Sequence, residues 1–217
     1  MTKTITRLFD DYADAEAAVA ELERMGVPER DISLMARNTD NAHDHRVKRD
    51  GTAADTAGEE AAEDAGKGAG LGGVVGAAGG LLAGLGMLAI PGLGPVVAAG
   101  WLASTAVGAL AGAAVGAAGG GIIGALTHAG VPHEDAQVYA EGVRRGGTLV
   151  SVKAEDAREG EVRAVLDRFR GADAAGRGRA YREGGWSEYR EDAEPYTAEE
   201  AALERERFRI QTGENRV

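Results

Sequence analysis

The sequence predicts an α+β fold: a small α/β sandwich, interrupted by a long helical hairpin and followed by a charged tail. Two observations predict this class. Short β-branched segments alternate with amphipathic helices near both ends of the folded part of the chain. Between them, residues 68–127 contain no Asp, Glu, Lys, Arg or His. We therefore expect one domain built from two halves, with an apolar insert between them.

The first half, residues 1–37, is predicted to form a β-α-β unit. Residues 4–9 are rich in β-branched side chains and indicate a strand. Asp10 or Asp11 can cap the helix that follows. Its buried face is predicted from residues three and four apart, namely Ala15, Ala18, Val19, Leu22 and Met25. Gly26 and Pro28 end this helix, and residues 31–36 are predicted to form the second strand.

Residues 38–67 are predicted to form an acidic linker to the insert, and the second half, residues 128–171, is predicted to form an α-β-α unit after the insert. Pro132 opens a helix, residues 148–153 indicate a strand, and residues 162–169 supply the apolar face of another helix. The tail, residues 172–217, is charged, and Thr197 with Glu200 has the spacing of a capping box. We expect the tail to be a solvated helix or a disordered segment, and a specific docking segment is the alternative.

Small residues recur every four positions in both predicted arms of the hairpin. On an α-helix this spacing produces a stripe without side chains, against which another backbone can pack. The predicted arms are residues 68–90 and 95–127, joined by a turn that contains Pro91 and Pro95. The predicted helix-packing residues are Gly68, Gly72, Gly76, Gly80, Gly84, Gly100, Ser104, Gly108, Gly112, Gly116, Gly120 and Gly124.

Three hypotheses describe the surroundings of this hairpin. Membrane embedding is favoured, because long runs without charge are typical of lipid-exposed segments. Burial inside a soluble homo-oligomer is the second, and a flexible low-complexity segment is the third. The first hypothesis places the protein at a membrane with both termini cytoplasmic, since no secretory signal is recognised at the start of the chain. The second places it in the cytoplasm.

Composition and spacing argue against several classes of activity. A formal net charge of −11 opposes general binding to nucleic acid, and the chain contains no cysteine. His43, Asp44 and His45 lie in the polar linker without a further positioned ligand, so we predict no metal site. Ser104 has no nearby histidine or carboxylate to activate it. We therefore predict no catalytic residues, no metal and no cofactor; whether the α/β domain binds a small molecule stays open.

Two segments resemble a known family. Residues 5–35, with their strand, alanine-rich helix and Gly-Val-Pro turn, resemble the N-terminal part of bacterial general stress proteins of the 17M type. Residues 130–152 resemble the other half of such proteins, which carry a glycine-rich apolar insert; the matching residues are Gly130, Val131, Pro132, Tyr139, Gly142, Gly146, Gly147, Leu149, Val150, Ser151 and Val152. The resemblance covers most of residues 1–170 and implies induction by stress, without an established biochemical activity.

The sequence therefore predicts a non-enzymatic stress-associated protein. Its hairpin would serve membrane association, with lipid as the partner, or self-assembly into a homo-oligomer. The alternatives are a soluble homo-oligomer with bundled hairpins and a sensor that binds a small ligand through the α/β domain.

Overall fold

A computed structural model describes residues 2–38, 86–90, 93–103 and 121–211, and at residues 86–90, 94, 95 and 211 it describes the backbone alone. In chain order, the helices and strands of these residues are β1 Thr2–Phe9, α1 Tyr12–Arg24, β2 Ile32–Arg37, β3 Gly86–Ile90, β4 Gly94–Gly100, α2 Ile122–His128, α3 His133–Arg144, β5 Thr148–Glu155, α4 Glu159–Arg168, α5 Ala174–Glu183 and α6 Ala198–Gln211.

The described strands form one antiparallel sheet with the order β1-β5-β2-β4-β3. Strand β5 lies between β1 and β2, which α1 connects. The two halves of the sequence therefore contribute to a single sheet, and the predicted α+β class is confirmed. The residues Thr6, Ser151 and Ser33 lie side by side across β1, β5 and β2.

Helices cover both faces of the sheet. On one face, α1 and α4 pack on apolar residues of β1, β5 and β2; Ala15, Ala18, Val19 and Leu22 are fully buried there, as the spacing predicts. On the other face, α2, α3, α5 and α6 contribute to a second core cluster. The sheet residues of this cluster include Leu8, Met35 and Leu149. The sheet is thus the central layer of three.

The predicted helical hairpin is wrong for residues 86–90 and 94–100. These residues form the β-hairpin β3–β4, in which Ile90 pairs with Gly94, and β4 continues the sheet at the edge of β2. Two physical effects favour strands here. Glycine and proline disfavour a helix, and β2 would otherwise leave its edge amides and carbonyls without a strand partner. A short helix, α2, does occupy the last part of the predicted second arm.

The prediction of a solvated or disordered tail is also wrong for residues 172–211. Both α5 and α6 pack on the domain, and Tyr181, Ala201 and Phe208 are buried. The predicted capping box is confirmed, because Thr197 Oγ1 accepts a hydrogen bond from the Glu200 amide at 3.2 Å and the Glu200 carboxylate accepts one from the Thr197 amide at 2.8 Å. For residues 172–211 the structure therefore agrees with the alternative, a docking segment, and this segment packs on its own domain.

Candidate functional site

Only two of the predicted helix-packing residues lie among the described residues, and the structure does not bring them together as a stripe. Gly100 ends strand β4, and Gly124 lies half-buried inside α2. The others lie outside the described residues, so their role stays a prediction: Gly68, Gly72, Gly76, Gly80, Gly84, Ser104, Gly108, Gly112, Gly116 and Gly120.

Gly100 is required by the sheet and not by a helix contact. Its φ is +81°, a conformation that favours glycine. A Cβ atom at this position would overlap the Ile32 carbonyl oxygen and lie 2.9 Å from Ser33 Cα. Gly100 therefore lets β4 approach β2 closely before the chain turns into the helical residues 101–103. The prediction that Gly100 packs helix against helix is corrected accordingly.

The residues on either side of the undescribed segment 104–120 are held in the same core. Leu102 precedes this segment and Ile122 follows it, and both are buried in the cluster that also contains Val96 and Met35. The Leu102 amide donates a hydrogen bond to Ser33 Oγ at 3.3 Å, and the ring of Trp101 lies 4.2 Å from the Lys153 ammonium. The domain thus fixes both ends of the segment on one face of the sheet.

A charged cluster joins the end of α3 to the C-terminal helices. Glu141 is 1% exposed and accepts hydrogen bonds from Arg144 and Arg145 at 2.6–2.8 Å. Arg145 also donates to Glu204 of α6 at 2.7 Å. Both Arg145 and Glu204 are mostly buried, with about 10% and 12% of their side chains exposed. Desolvation of these charges is offset by charge-assisted hydrogen bonds at every partner named here.

The chain that leads into α6 is held by two arginines of the domain. Arg37 Nη1 donates to the carbonyl oxygens of Arg144 and Tyr196 at 2.9 and 2.7 Å. Arg144 Nη1 donates to the Glu194 carbonyl oxygen at 2.6 Å, and its guanidinium lies 5.2 Å from the Tyr196 ring centroid. Residues 194–196 are therefore bound much as a short peptide would be.

A second charged pair, Arg177 with Asp10, also lies close to α6. Arg177 Nη2 donates to Asp10 Oδ2 at 2.8 Å, and the Arg177 guanidinium stacks 3.7 Å from the ring centroid of Phe208. Burial raises the pKa of the Asp10 carboxyl above its ordinary value, while the hydrogen bond from Arg177 opposes this shift. Phe208 also meets Tyr181 edge to face, with ring centroids 6.0 Å apart.

A small cleft with a cavity volume of about 10 Å³ lies between α3 and α6. Its walls combine charged, aromatic and small residues: Leu8, Asp10, Gly142, Arg145, Gly147, Tyr181, Ala201, Glu204 and Arg205. Small-molecule sites usually occupy roughly 300 Å³ or more. Asp10, Arg145 and Glu204 already pair with charged side chains, so the arrangement favours docking of α6 over chemistry on a substrate.

Sequence reasoning missed this charged cluster, because its partners lie far apart in the chain. One signal could have revealed it: the chain has two Trp, five Tyr and three Phe, and five of these ten follow residue 171. They are Tyr181, Trp186, Tyr189, Tyr196 and Phe208. Aromatic residues at that density are typical of a segment that packs on something.

The residues considered as metal ligands or as a nucleophile lie outside the described residues; they are His43, Asp44, His45 and Ser104. The other two histidines, His128 and His133, are exposed at the two ends of the α2–α3 connection. Among the described residues, no group of three His, Cys, Asp or Glu is arranged to hold a metal ion.

None of the helices in the described segments combines the length and the apolar character that crossing a membrane requires. In comparisons with family models, curated proteins and solved structures, nothing matches this chain.

Proposed function

We propose that this chain is a non-enzymatic, stress-associated assembly protein, whose α+β domain presents a charge-free glycine-rich segment to further copies of itself. The observation that carries the proposal is the burial of Leu102 and Ile122 in one core cluster. Since these residues flank residues 104–120, a rigid domain controls where the segment leaves and returns. The association with stress rests on the family resemblance.

The β-hairpin favours self-assembly over a transmembrane hairpin. With residues 86–90 and 94–100 in strands, the parts of the predicted arms left for helices are residues 68–85 and 104–120. Each lies at the lower limit of the roughly 17–25 residues that cross a bilayer as a helix. Small residues every four positions still suit close contact between helices, which does not require a full span.

Membrane association is the second candidate, and one observation favours it. Residues 68–127 carry no charged side chain, so a shallow or re-entrant insertion would move no charge into lipid. Because both ends of residues 104–120 return to the same domain, such an insertion would leave both termini on the cytoplasmic side. A ligand sensor is the third candidate, and the small cleft gives it the weakest support.

Fractionation and sedimentation test the first two candidates together. The full-length protein is expressed, the membrane fraction is washed at alkaline pH, and the soluble fraction is analysed by sedimentation velocity. The proposal expects oligomers in the soluble fraction. Retention in the washed membranes would support the second candidate instead, and a soluble monomer would contradict both.

The double variant Gly112→Leu with Gly116→Leu tests the glycine stripe directly. Leucine at both positions would block close approach of a second backbone, so we expect smaller oligomers. Gly160→Leu is the matched control, because Gly160 is exposed on α4 and a Cβ atom there meets nothing within 4 Å. An unchanged oligomer size in the double variant would contradict the role of the stripe.

Stress association is tested separately, by following the abundance of the protein after heat or salt stress.

A further inference from the structure

Strand β3 forms one end of the sheet, and β4 is its only strand partner within the described residues. Its sequence, Gly-Met-Leu-Ala-Ile, contains no charged residue and no proline. Natural edge strands usually carry lysine, proline or a bulge, because an open edge pairs readily with another chain. Strand β3 has neither lysine nor proline, so its sequence is typical of a strand that accepts a further strand.

The opposite edge of the sheet is different. On β1, the Leu8 amide and carbonyl exchange hydrogen bonds of 3.0 and 2.8 Å with Ala172, so part of this edge is already covered. Lys3 on the same strand binds Glu159 at 2.7 Å, and Arg7 binds Asp167 at 2.7 Å. The β1 edge is therefore capped and charged, whereas β3 carries no charged residue and has no capping contact among the described residues.

The difference between the β1 and β3 edges indicates which edge of a second copy would pair with β3. A contact between β3 of one copy and β1 of the next would build an open chain of copies, and the covered β1 edge disfavours it. Two β3 strands can pair antiparallel about a two-fold axis, which uses the same edge twice and closes on itself. The chain carries a net charge of −11, so copies repel each other most weakly where charge is absent, as along β3.

We infer that β3 is the docking edge for a second copy of this chain, and that the two sheets join as a closed antiparallel β3–β3 dimer. The inference deepens the proposed self-assembly but uses a surface distinct from the glycine stripe. The glycine-rich segment can then link such dimers into larger assemblies.

Single-cysteine variants of the full chain test this contact, since the wild-type sequence has no cysteine. Met87→Cys, Leu88→Cys and Ala89→Cys sample the middle of β3, and Lys3→Cys on β1 is the matched control at the other edge. Opposed residues of an antiparallel pair have Cα atoms about 4.5–5.5 Å apart, which suits a disulfide. Diamide serves as the oxidant and takes up the two electrons and two protons that the thiols lose.

We expect at least one β3 variant to form a covalent dimer on the order of 100-fold faster than Lys3→Cys. Paired strands hold their thiols at an effective concentration near the millimolar range, whereas colliding monomers are micromolar. Circular dichroism identifies any variant that fails to fold, and three positions keep the test decisive. Rates equal to the control at every folded position would overturn the inference.

Adding Gly112→Leu and Gly116→Leu to the fastest β3 cysteine variant separates the two contacts. If the larger assemblies vanish while rapid cross-linking persists, both the stripe and the β3 edge act as proposed. If the assemblies persist and cross-linking is rapid, the stripe fails and the β3 edge stands. If cross-linking is lost along with the assemblies, β3 is not an independent docking edge.

Discussion

Arg145, the residue that caps the end of α3, donates a hydrogen bond of 2.7 Å to Glu204 of α6 across 59 positions of sequence, and about nine-tenths of each side chain is buried. Arg145 also binds Glu141 of α3 at 2.7 Å. This bridge fixes α6 against the domain, because a buried charge that loses a partner has no water to replace it.

Glu204→Gln is therefore expected to destabilise the protein by about 1.5–3 kcal/mol, the usual range for a hydrogen bond to a charged group. Arg145 would keep Glu141, which limits the loss. The measurement is the free energy of unfolding in urea. Glu206→Gln is the control on the same helix, since Glu206 is 55% exposed and pairs with Arg209. Equal effects of the two substitutions would show that the Arg145 bridge does not hold α6.

Gly146→Ala is expected to displace α6. Gly146 has a φ of +95°, and a Cβ atom there would lie 2.6 Å from the Ala201 Cβ atom. Gly26→Ala is the matched control, because Gly26 also has a positive φ, +78°, but meets nothing within 4 Å. Backbone strain alone should lower the free energy of unfolding of Gly26→Ala by about 1–2 kcal/mol. The decrease should be larger in Gly146→Ala, and limited proteolysis should release residues 198–211 faster. A decrease no larger than that in Gly26→Ala would contradict close packing at Ala201.

The capping box predicts a pH dependence of α6. Hydrogen bonds from the Thr197 amide and hydroxyl hold the pKa of the Glu200 carboxyl below its usual range. A carboxyl with a lowered folded-state pKa stabilises the folded state above its unfolded pKa, about 4.3, and this contribution is lost as the pH falls through the folded-state pKa. In Glu200→Gln, the helical signal of α6 should therefore change less between pH 7 and pH 3 than in the wild type.

Glu199→Gln is the control for this titration, because it removes the same charge from the neighbouring position without changing the capping box. Circular dichroism at matched ionic strength measures the helical signal, and limited proteolysis assigns the change to residues 198–211. If Glu199→Gln and Glu200→Gln alter the pH profile equally, the effect comes from net charge and not from the cap.

Patterns within a few residues predict elements such as α1. The strand β4 and the docking of α6 depend on contacts between residues far apart in the sequence, which such patterns do not contain. The spacing of Ala15, Val19 and Leu22 is enough to predict α1, because the helical period lies within a few residues. The strand β4 could not be predicted in this way, since its partner β2 lies about 60 positions earlier. The docking of α6 depends on Arg145 and Glu204, and charged residues alone resemble a solvated surface.

Gly100→Ala decides between the helix that the four-residue glycine period predicts and the strand that the structure describes. In a helix interior, alanine in place of glycine should stabilise the protein by about 0.8–1 kcal/mol. In β4, Gly100 has a φ of +81° and its Cβ atom would overlap the backbone of Ile32, so the same substitution should destabilise the sheet. We expect a loss of about 2–4 kcal/mol in urea unfolding, from strain together with displaced backbone. Gly185→Ala, with a φ of +88° and nothing within 4 Å, isolates the strain. A higher free energy of unfolding for Gly100→Ala would support the predicted helical hairpin and contradict the strand, because alanine in place of glycine stabilises a helix interior but not this position of β4.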